Sequence, residues 1–172
     1  AQRFNSLNGD ALSFCLEVTM EQLLEIIYQR FKGGDLKAGE DLYYMCREAM
    51  KNDIPLGVKW LKALSEDISA HMATCQNEKT LRTLFALHKR VLLAAAPHDF
   101  DSYLLYVEWN RDPDKKFYPP RRKVLKQVVD ALQELAERKI ELLTISLPPG
   151  TGKTTLAIFY LTWISGRNPN EP

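Results

Sequence analysis

The sequence predicts a mainly α-helical N-terminal region over residues 1–98, followed by the beginning of an α/β domain over residues 99–172. Three observations support this fold class. Apolar residues recur at helical spacing through the first region, and no useful stretch of it alternates with period two. Residues 141–147 form a short, partly β-branched apolar run without helical period. A glycine-rich turn and another helical segment follow that run directly.

Amphipathic helices are predicted throughout the first region. Thr19 and Gln22 have the spacing of a capping box at the start of the first helix, and Asn77 can cap the fourth. Residues 1–18 have no sustained period and predict a loose lead-in. The four apolar stripes are Leu23, Leu24, Ile27 and Phe31; Leu42, Met45, Cys46 and Ala49; Val58, Leu61, Leu64 and Ile68; and Leu81, Leu84, Phe85, His88, Val91 and Leu92.

The second region opens with an aromatic-rich helix over residues 99–109, with Asp99 and Asp101 in a helix-start role. A polar turn comes next. Pro119-Pro120 follow it and predict the start of a helix, because proline suits the first turn. The apolar face of that helix is predicted to be Val124, Val128, Leu132 and Leu135. The run 141–147 predicts a strand buried on both faces, as in a parallel sheet. Thr154 to about Ser165 then predict the closing helix.

Charge and cysteine content exclude several classes of function. The chain has 23 Lys and Arg against 22 Asp and Glu, so its formal net charge of +1 predicts no global attraction to nucleic acid or to acidic membranes. No apolar run reaches the roughly 18 residues that span a bilayer. The three cysteines are an odd number without metal-ligand spacing, which predicts neither a disulfide framework nor a zinc site and fits a reducing cytoplasm. Residues 111–126 alone hold seven basic and two acidic side chains, a patch that can meet either nucleotide or the DNA backbone.

The loop at residues 147–155 carries the most specific signal. It reads Leu-Pro-Pro-Gly-Thr-Gly-Lys-Thr-Thr and matches the end of the P-loop pattern G-x-x-x-x-G-K-[ST], with Leu147 in place of the first glycine. Its glycines allow a backbone that turns N–H groups toward an anion, and the following helix adds its positive end. Lys153 is expected to reach the β- and γ-phosphates as the catalytic cation, and Thr154 to ligate Mg²⁺. The predicted ATP-binding residues of the loop are Pro149, Gly150, Thr151, Gly152, Lys153, Thr154 and Thr155.

The predicted fold class is therefore an α/β P-loop NTPase core preceded by a mainly helical region, in a chain that is predominantly α-helical. Only 19 residues follow Lys153. A P-loop ATPase that activates water also needs an acidic Walker B residue and a water-positioning group on later strands. The sequence thus predicts an ATPase domain truncated after the loop helix. The complete protein would hydrolyse ATP, whereas this part alone would not.

The end of the chain carries a resemblance to a known family. Residues 117–122 read Phe-Tyr-Pro-Pro-Arg-Arg, the loop reads Pro-Pro-Gly-Thr-Gly-Lys-Thr over residues 148–154, and Gly-Arg-Asn-Pro follows over residues 166–169. Together these features resemble the large subunit of tailed-phage terminases, the ATPases that drive DNA into the capsid. Terminases often have Pro-Pro in this loop and lack its first glycine, as at Leu147. They often carry an arginine where Gly150 stands here.

The resemblance implies a function and a set of partners. ATP hydrolysis with Mg²⁺ would power translocation of double-stranded DNA by a homo-oligomeric ring in the host cytoplasm. A small terminase subunit and a portal protein would be partners, and no membrane would be involved. The segment ahead of the loop would contribute to an adenine pocket, with the aromatic face of Tyr118 and the planar cation of Arg121 or Arg122. Alternatively, Tyr118 packs on the prolines and both arginines form a solvated helix start.

Two other interpretations remain open from the sequence. The loop also resembles those of AAA+ proteins and helicases, although these usually keep a glycine before the prolines, where this chain has Leu147. The second interpretation is a helical interaction domain that binds partners through residues 20–95 and has a degenerate loop that binds no nucleotide.

Overall fold

The computed structural model describes residues 18–167, and the lead-in predicted over residues 1–18 lies almost wholly outside them. The described part of the chain consists of α-helices, two short 3₁₀ turns and irregular segments. The α-helices are α1 (Met20–Lys32), α2 (Leu36–Ala49), α3 (Ile54–Thr74), α4 (Glu78–Ala95), α5 (Phe100–Val107), α6 (Arg122–Ala136) and α7 (Lys153–Arg167), and the 3₁₀ turns are Pro113–Lys115 and Pro119–Arg121.

The α/β prediction is wrong for this part of the chain, because residues 18–167 contain no β-strand. Residues 142–148 are irregular rather than the predicted buried strand, and the Leu142 side chain is 84% exposed. A strand is stable only when its N–H and C=O groups pair with a neighbouring strand. In the range 18–167, no backbone–backbone hydrogen bond involves residues 140–151. The β-type composition of this segment therefore does not produce a sheet.

The helices of the first region begin where local side chains can satisfy their first N–H groups. The capping box of α1 is confirmed, since Thr19 N donates to Gln22 Oε1 and Gln22 N donates to Thr19 Oγ1. Asn77 caps α4 as predicted by accepting from Thr80 N at 3.1 Å. Asp99 caps α5 in the same way, with its carboxylate 2.8 Å from Ser102 N. These contacts are local in sequence, which explains why they could be predicted.

The buried side chains form two clusters. The first lies within α1–α4 and contains most of the predicted stripes, and the second joins α5, α6 and α7. The second consists of Phe100, Leu104, Tyr118, Leu125, Val129, Leu132, Leu156 and Trp163. Residues 96–99 connect the clusters, and the domain boundary at 98/99 remains a prediction. Phe85 departs from its predicted stripe, since it is 49% exposed and packs on Trp109 with ring centroids 4.5 Å apart.

Most of the predicted apolar face of α6 lies toward the second cluster: Leu132 is buried and Val128 and Leu135 pack against the cluster, whereas Val124 does not belong to it. Val124 is 69% exposed, while Leu125 and Val129 are buried and Leu132 joins them. Pro119-Pro120 form a 3₁₀ turn ahead of the helix instead of its first α-turn. The α-helix itself therefore begins at Arg122, after the two prolines.

Three polar contacts connect α6 and α7 to the end of α4 and the start of α5. Trp163 Nε1 donates to Ala96 O at 2.8 Å and ties α7 to the end of α4. Gln133 on α6 accepts from Phe100 N at 2.8 Å and donates to His98 O at 3.0 Å. Because α7 begins at Lys153, the contact of Trp163 with Ala96 helps to fix the helix that the glycine-rich loop enters. No helix in the described range is both long and apolar enough to cross a membrane.

His88 is buried in the α3–α4 interface, and its Nε2 lies 2.9 Å from Ser65 Oγ. Burial, helped by the charge of Arg122, lowers the pKa of His88 from 6.5 to about 4. Above pH 6.5 the imidazole is neutral in both the folded and the unfolded chain, so it adds no pH dependence there. As the pH falls from 6.5 to 4, only the unfolded chain gains this proton. The free energy of unfolding is therefore expected to fall by about 3 kcal/mol over that window.

Urea unfolding at pH 7 and pH 4.5 checks this prediction, with wild type compared to His88→Gln. The glutamine keeps a hydrogen-bonding group near Ser65 and does not titrate. His98 also has a pKa lowered by burial, so His98→Gln is the matched control and should retain most of the wild-type loss. An identical pH dependence in wild type and His88→Gln would contradict the prediction.

Candidate functional site

The glycine-rich loop connects the irregular segment to the start of α7. Gly150 has φ +79° and Gly152 has φ +90°, both in the left-handed region that other residues rarely adopt. Thr151 lies between them, and its Oγ1 donates to Pro148 O at 2.9 Å. The backbone therefore reverses direction within residues 148–152 and enters α7 at Lys153. The observed conformation of the loop therefore requires glycine at both positions.

Lys153 folds back across the loop. Its Nζ donates to Leu147 O at 2.8 Å, so the cation closes a ring that contains the whole glycine turn. The side chain is otherwise exposed. A carbonyl oxygen is a neutral acceptor, and an anionic oxygen would form a stronger, charge-assisted bond with the same ammonium group. The cation thus lies at the loop and is accessible to an anion.

The start of α7 adds a second source of positive potential. The first N–H groups of an α-helix have no partner within the helix, and they carry the positive end of its dipole. The first turn of α7 contains no acidic residue that would compete for them. Thr154 and Thr155 are exposed in that turn, and Gly152 O accepts the first helical bond from Leu156 N at 3.0 Å. A 15-residue helix, two left-handed glycines and one lysine therefore meet at this point.

This donor set fits a phosphate group, because it combines a cation, backbone N–H groups and hydroxyls. Magnesium is commonly held by substrate phosphates together with few protein ligands and water. In the range 18–167, no group of three or more His, Cys, Asp or Glu side chains is placed to hold a metal ion. Thr154, the residue that the sequence predicts for magnesium, is exposed in the first turn of α7.

The predicted adenine-contacting residues point in different directions. Tyr118 is fully buried, and its hydroxyl donates to Asp101 Oδ1. Arg122 is also directed at Asp101, with Nε 3.0 Å from Oδ1 and Nη2 2.6 Å from Oδ2. Arg121 is exposed instead, its guanidinium 5.4 Å from the centroid of the Phe117 ring. Of these three side chains, Arg121 is therefore the one accessible to a ligand in this arrangement.

Asp101 is ionised within this buried group. Burial raises the pKa of Asp101, but the hydrogen bonds from Arg122 and Tyr118 outweigh that effect, and the net pKa is lowered. Burial and the neighbouring Asp101 charge raise the pKa of Tyr118, which keeps its hydroxyl protonated as a donor. The hydrogen bond to Asp101 raises the pKa of Arg122. The group is thus a buried ion pair with an added phenol.

The basic excess of residues 111–126 is partly neutralised by folding. Four of its seven cations pair with carboxylates, three of which lie outside the segment. The pairs are Arg111–Glu108, Lys115–Asp112, Arg122–Asp101 and Lys126–Asp130. The positive field of this surface is therefore weaker than the sequence count suggests. Whether it contacts nucleotide or DNA remains a prediction.

Sequence reasoning did not identify Glu108 as a residue that supports the site, and it gave Asp101 only a helix-start role. Glu108 is fully buried and accepts hydrogen bonds from Phe117 N at 2.9 Å and Tyr118 N at 2.7 Å. Its carboxylate therefore holds the segment that leads into Pro119. Apart from Arg111, which lies three residues from Glu108, the partners of both acids lie 9 to 21 residues away, and no short motif indicates such pairs.

Comparisons of the chain with protein-family models, curated proteins and solved structures gave no match.

Proposed function

We propose that residues 147–155 bind the phosphates of ATP together with Mg²⁺, and that the chain is the ATP-binding part of a terminase large subunit. The observation that carries the first statement is the position of the Lys153 ammonium group. It lies across a turn with two left-handed glycines, at the start of a helix whose first turn has no acidic residue. This combination of charge and backbone donors suits a polyphosphate.

Different groups at the loop bind different parts of the nucleotide. The Lys153 ammonium group exchanges its neutral acceptor, Leu147 O, for a phosphate oxygen and gains a charge-assisted bond. The N–H groups of Thr154 and Thr155 and the glycine turn hold the remaining oxygens. The Thr154 hydroxyl would hold the magnesium ion, and the ion would neutralise phosphate charge. Arg121 is the accessible arginine beside the loop and contacts either the phosphates or the base.

The terminase assignment is supported by the sequence resemblance of residues 117–122 and 148–154. In this proposal the complete protein hydrolyses ATP to translocate double-stranded DNA into a capsid. Its partners are a small terminase subunit, a portal protein and further copies in a ring, and it works in the host cytoplasm. The loop itself determines nucleotide binding, so that part can be tested on the chain as it stands.

Isothermal titration calorimetry with Mg²⁺ and a non-hydrolysable ATP analogue tests the proposal. Lys153→Ala is expected to weaken binding by about 100-fold, because it removes a hydrogen bond to a charged group. Lys79→Ala is the matched control, since Lys79 is another exposed lysine, on α4, and lies outside both the loop and the basic segment 111–126. It should bind the analogue as wild type does.

Thermal melting of the three proteins shows whether each is folded. If folded wild type binds no analogue, or if Lys153→Ala binds as tightly as wild type, the loop is not a nucleotide site. The chain would then be better described as a helical interaction domain.

A further inference from the structure

The Phe117 ring lies directly on the backbone of the candidate loop. A Cβ built on Gly152 would stand 2.2 Å from Phe117 Cε2 and 2.7 Å from Cζ, well inside any real contact distance. The ring therefore occupies the space that a side chain at residue 152 would fill. Gly152 is required here both by this contact and by its φ of +90°.

Phe117 is itself fixed on several sides. Its N–H donates to the fully buried Glu108 carboxylate at 2.9 Å, which anchors the backbone of residue 117. Its ring stacks with Phe159 of α7, with centroids 6.1 Å apart and planes 29° apart. Arg121 Nη1 donates to Phe117 O at 3.1 Å. Because Phe159 and Gly152 both belong to the α7 end of the chain, the ring is held between the loop and its helix.

We infer that Phe117 is a positioning residue that holds Gly152 in the left-handed conformation required for anion binding. This inference rests on the proposed nucleotide-binding function. A glycine free of contacts populates positive and negative φ about equally. Binding of a ligand that requires positive φ therefore has an entropic cost, because the glycine must be fixed in that conformation. A ring packed against Gly152 restricts that freedom before the ligand arrives. Preorganisation of this kind raises affinity without adding a contact to the ligand.

Phe117→Leu tests the inference, with Phe159→Leu as the matched control. Both changes remove one ring of the same stacked pair, but the three atoms nearest to the Cβ position of Gly152 all belong to Phe117. The affinity for Mg²⁺ and a non-hydrolysable ATP analogue is expected to fall about tenfold in Phe117→Leu and to change less than twofold in Phe159→Leu. Thermal melting should show similar loss of stability in the two variants, which separates positioning from general packing.

Nuclear magnetic resonance of glycine-labelled protein gives a readout that does not depend on nucleotide. The Gly152 resonances should carry the ring-current shift of Phe117 in wild type and in Phe159→Leu, and should lose it in Phe117→Leu.

Equal affinity in Phe117→Leu and wild type would overturn the inference and leave the nucleotide site intact. A Gly152 shift that is unchanged in Phe117→Leu would overturn the contact itself. A wild-type chain that binds no analogue would remove the proposed function and this inference together.

Discussion

Replacing Asp101 with alanine is expected to lower the free energy of unfolding by about 3–5 kcal/mol, because it breaks a buried ion pair and leaves its partners without a counter-charge. The Asp101 side chain is 6% exposed and accepts hydrogen bonds from Arg122 and from the Tyr118 hydroxyl. In the variant, Arg122 remains a partly buried cation and Tyr118 remains a fully buried donor. Urea unfolding at pH 7 measures the effect.

Asp130→Ala is the matched control for this prediction. Asp130 also pairs with a cation, Lys126, but its side chain is 52% exposed. An exposed pair of this kind contributes about 0.5 kcal/mol or less. Similar losses in Asp101→Ala and Asp130→Ala would contradict the role assigned to the buried pair.

Truncation of Phe100 to alanine is the second change with a large expected effect, a loss of about 3–5 kcal/mol. Phe100 is fully buried at the start of α5, and its ring centroid lies 5.0 Å from that of Trp163 and 5.5 Å from that of Tyr160. Removing the ring leaves a cavity between α5 and α7 that these neighbours cannot fill without moving. Urea unfolding gives the free energy, and the near-ultraviolet circular dichroism of the tryptophans should weaken.

Phe85→Ala provides the comparison, since Phe85 is 49% exposed and packs on a single aromatic neighbour, Trp109. Its truncation removes less buried surface, and we expect a loss of about 1 kcal/mol. A Phe100→Ala variant as stable as Phe85→Ala would show that the second cluster does not depend on this ring.

The parts of the fold that the sequence predicted correctly depend on local interactions. Helices α1 and α4 follow from apolar residues at 3.6-residue spacing and from caps at Thr19 and Asn77, whose partners lie three residues away. The glycine turn ahead of α7 follows from Gly150 and Gly152 for the same reason. Such features depend on nearby residues, and the sequence displays those residues directly.

The parts that the sequence did not predict depend on distant residues. A strand at 141–147 needs a hydrogen-bonded neighbour, and apolar composition alone does not supply one. The Asp101–Arg122 pair joins residues 21 positions apart, so it has no motif. Burial of Leu125 and Val129 depends on how α6 packs against α5 and α7, and the apolar spacing alone did not identify these two residues. In each case the structure depends on an interaction between residues that are farther apart in sequence than a motif or a helical period extends.

The backbone of residues 140–151, which forms no backbone–backbone hydrogen bond within the described range, also governs exchange with solvent. Amide hydrogens that are bonded to water rather than to the chain can be replaced by deuterium without any opening of the fold. Those of α7 from Leu156 onward are bonded within the helix and exchange only when the helix opens. The boundary between the two kinds of amide therefore lies at Leu156, one turn beyond the glycine turn. A ligand that orders the loop would therefore slow exchange on the N-terminal side of this boundary first.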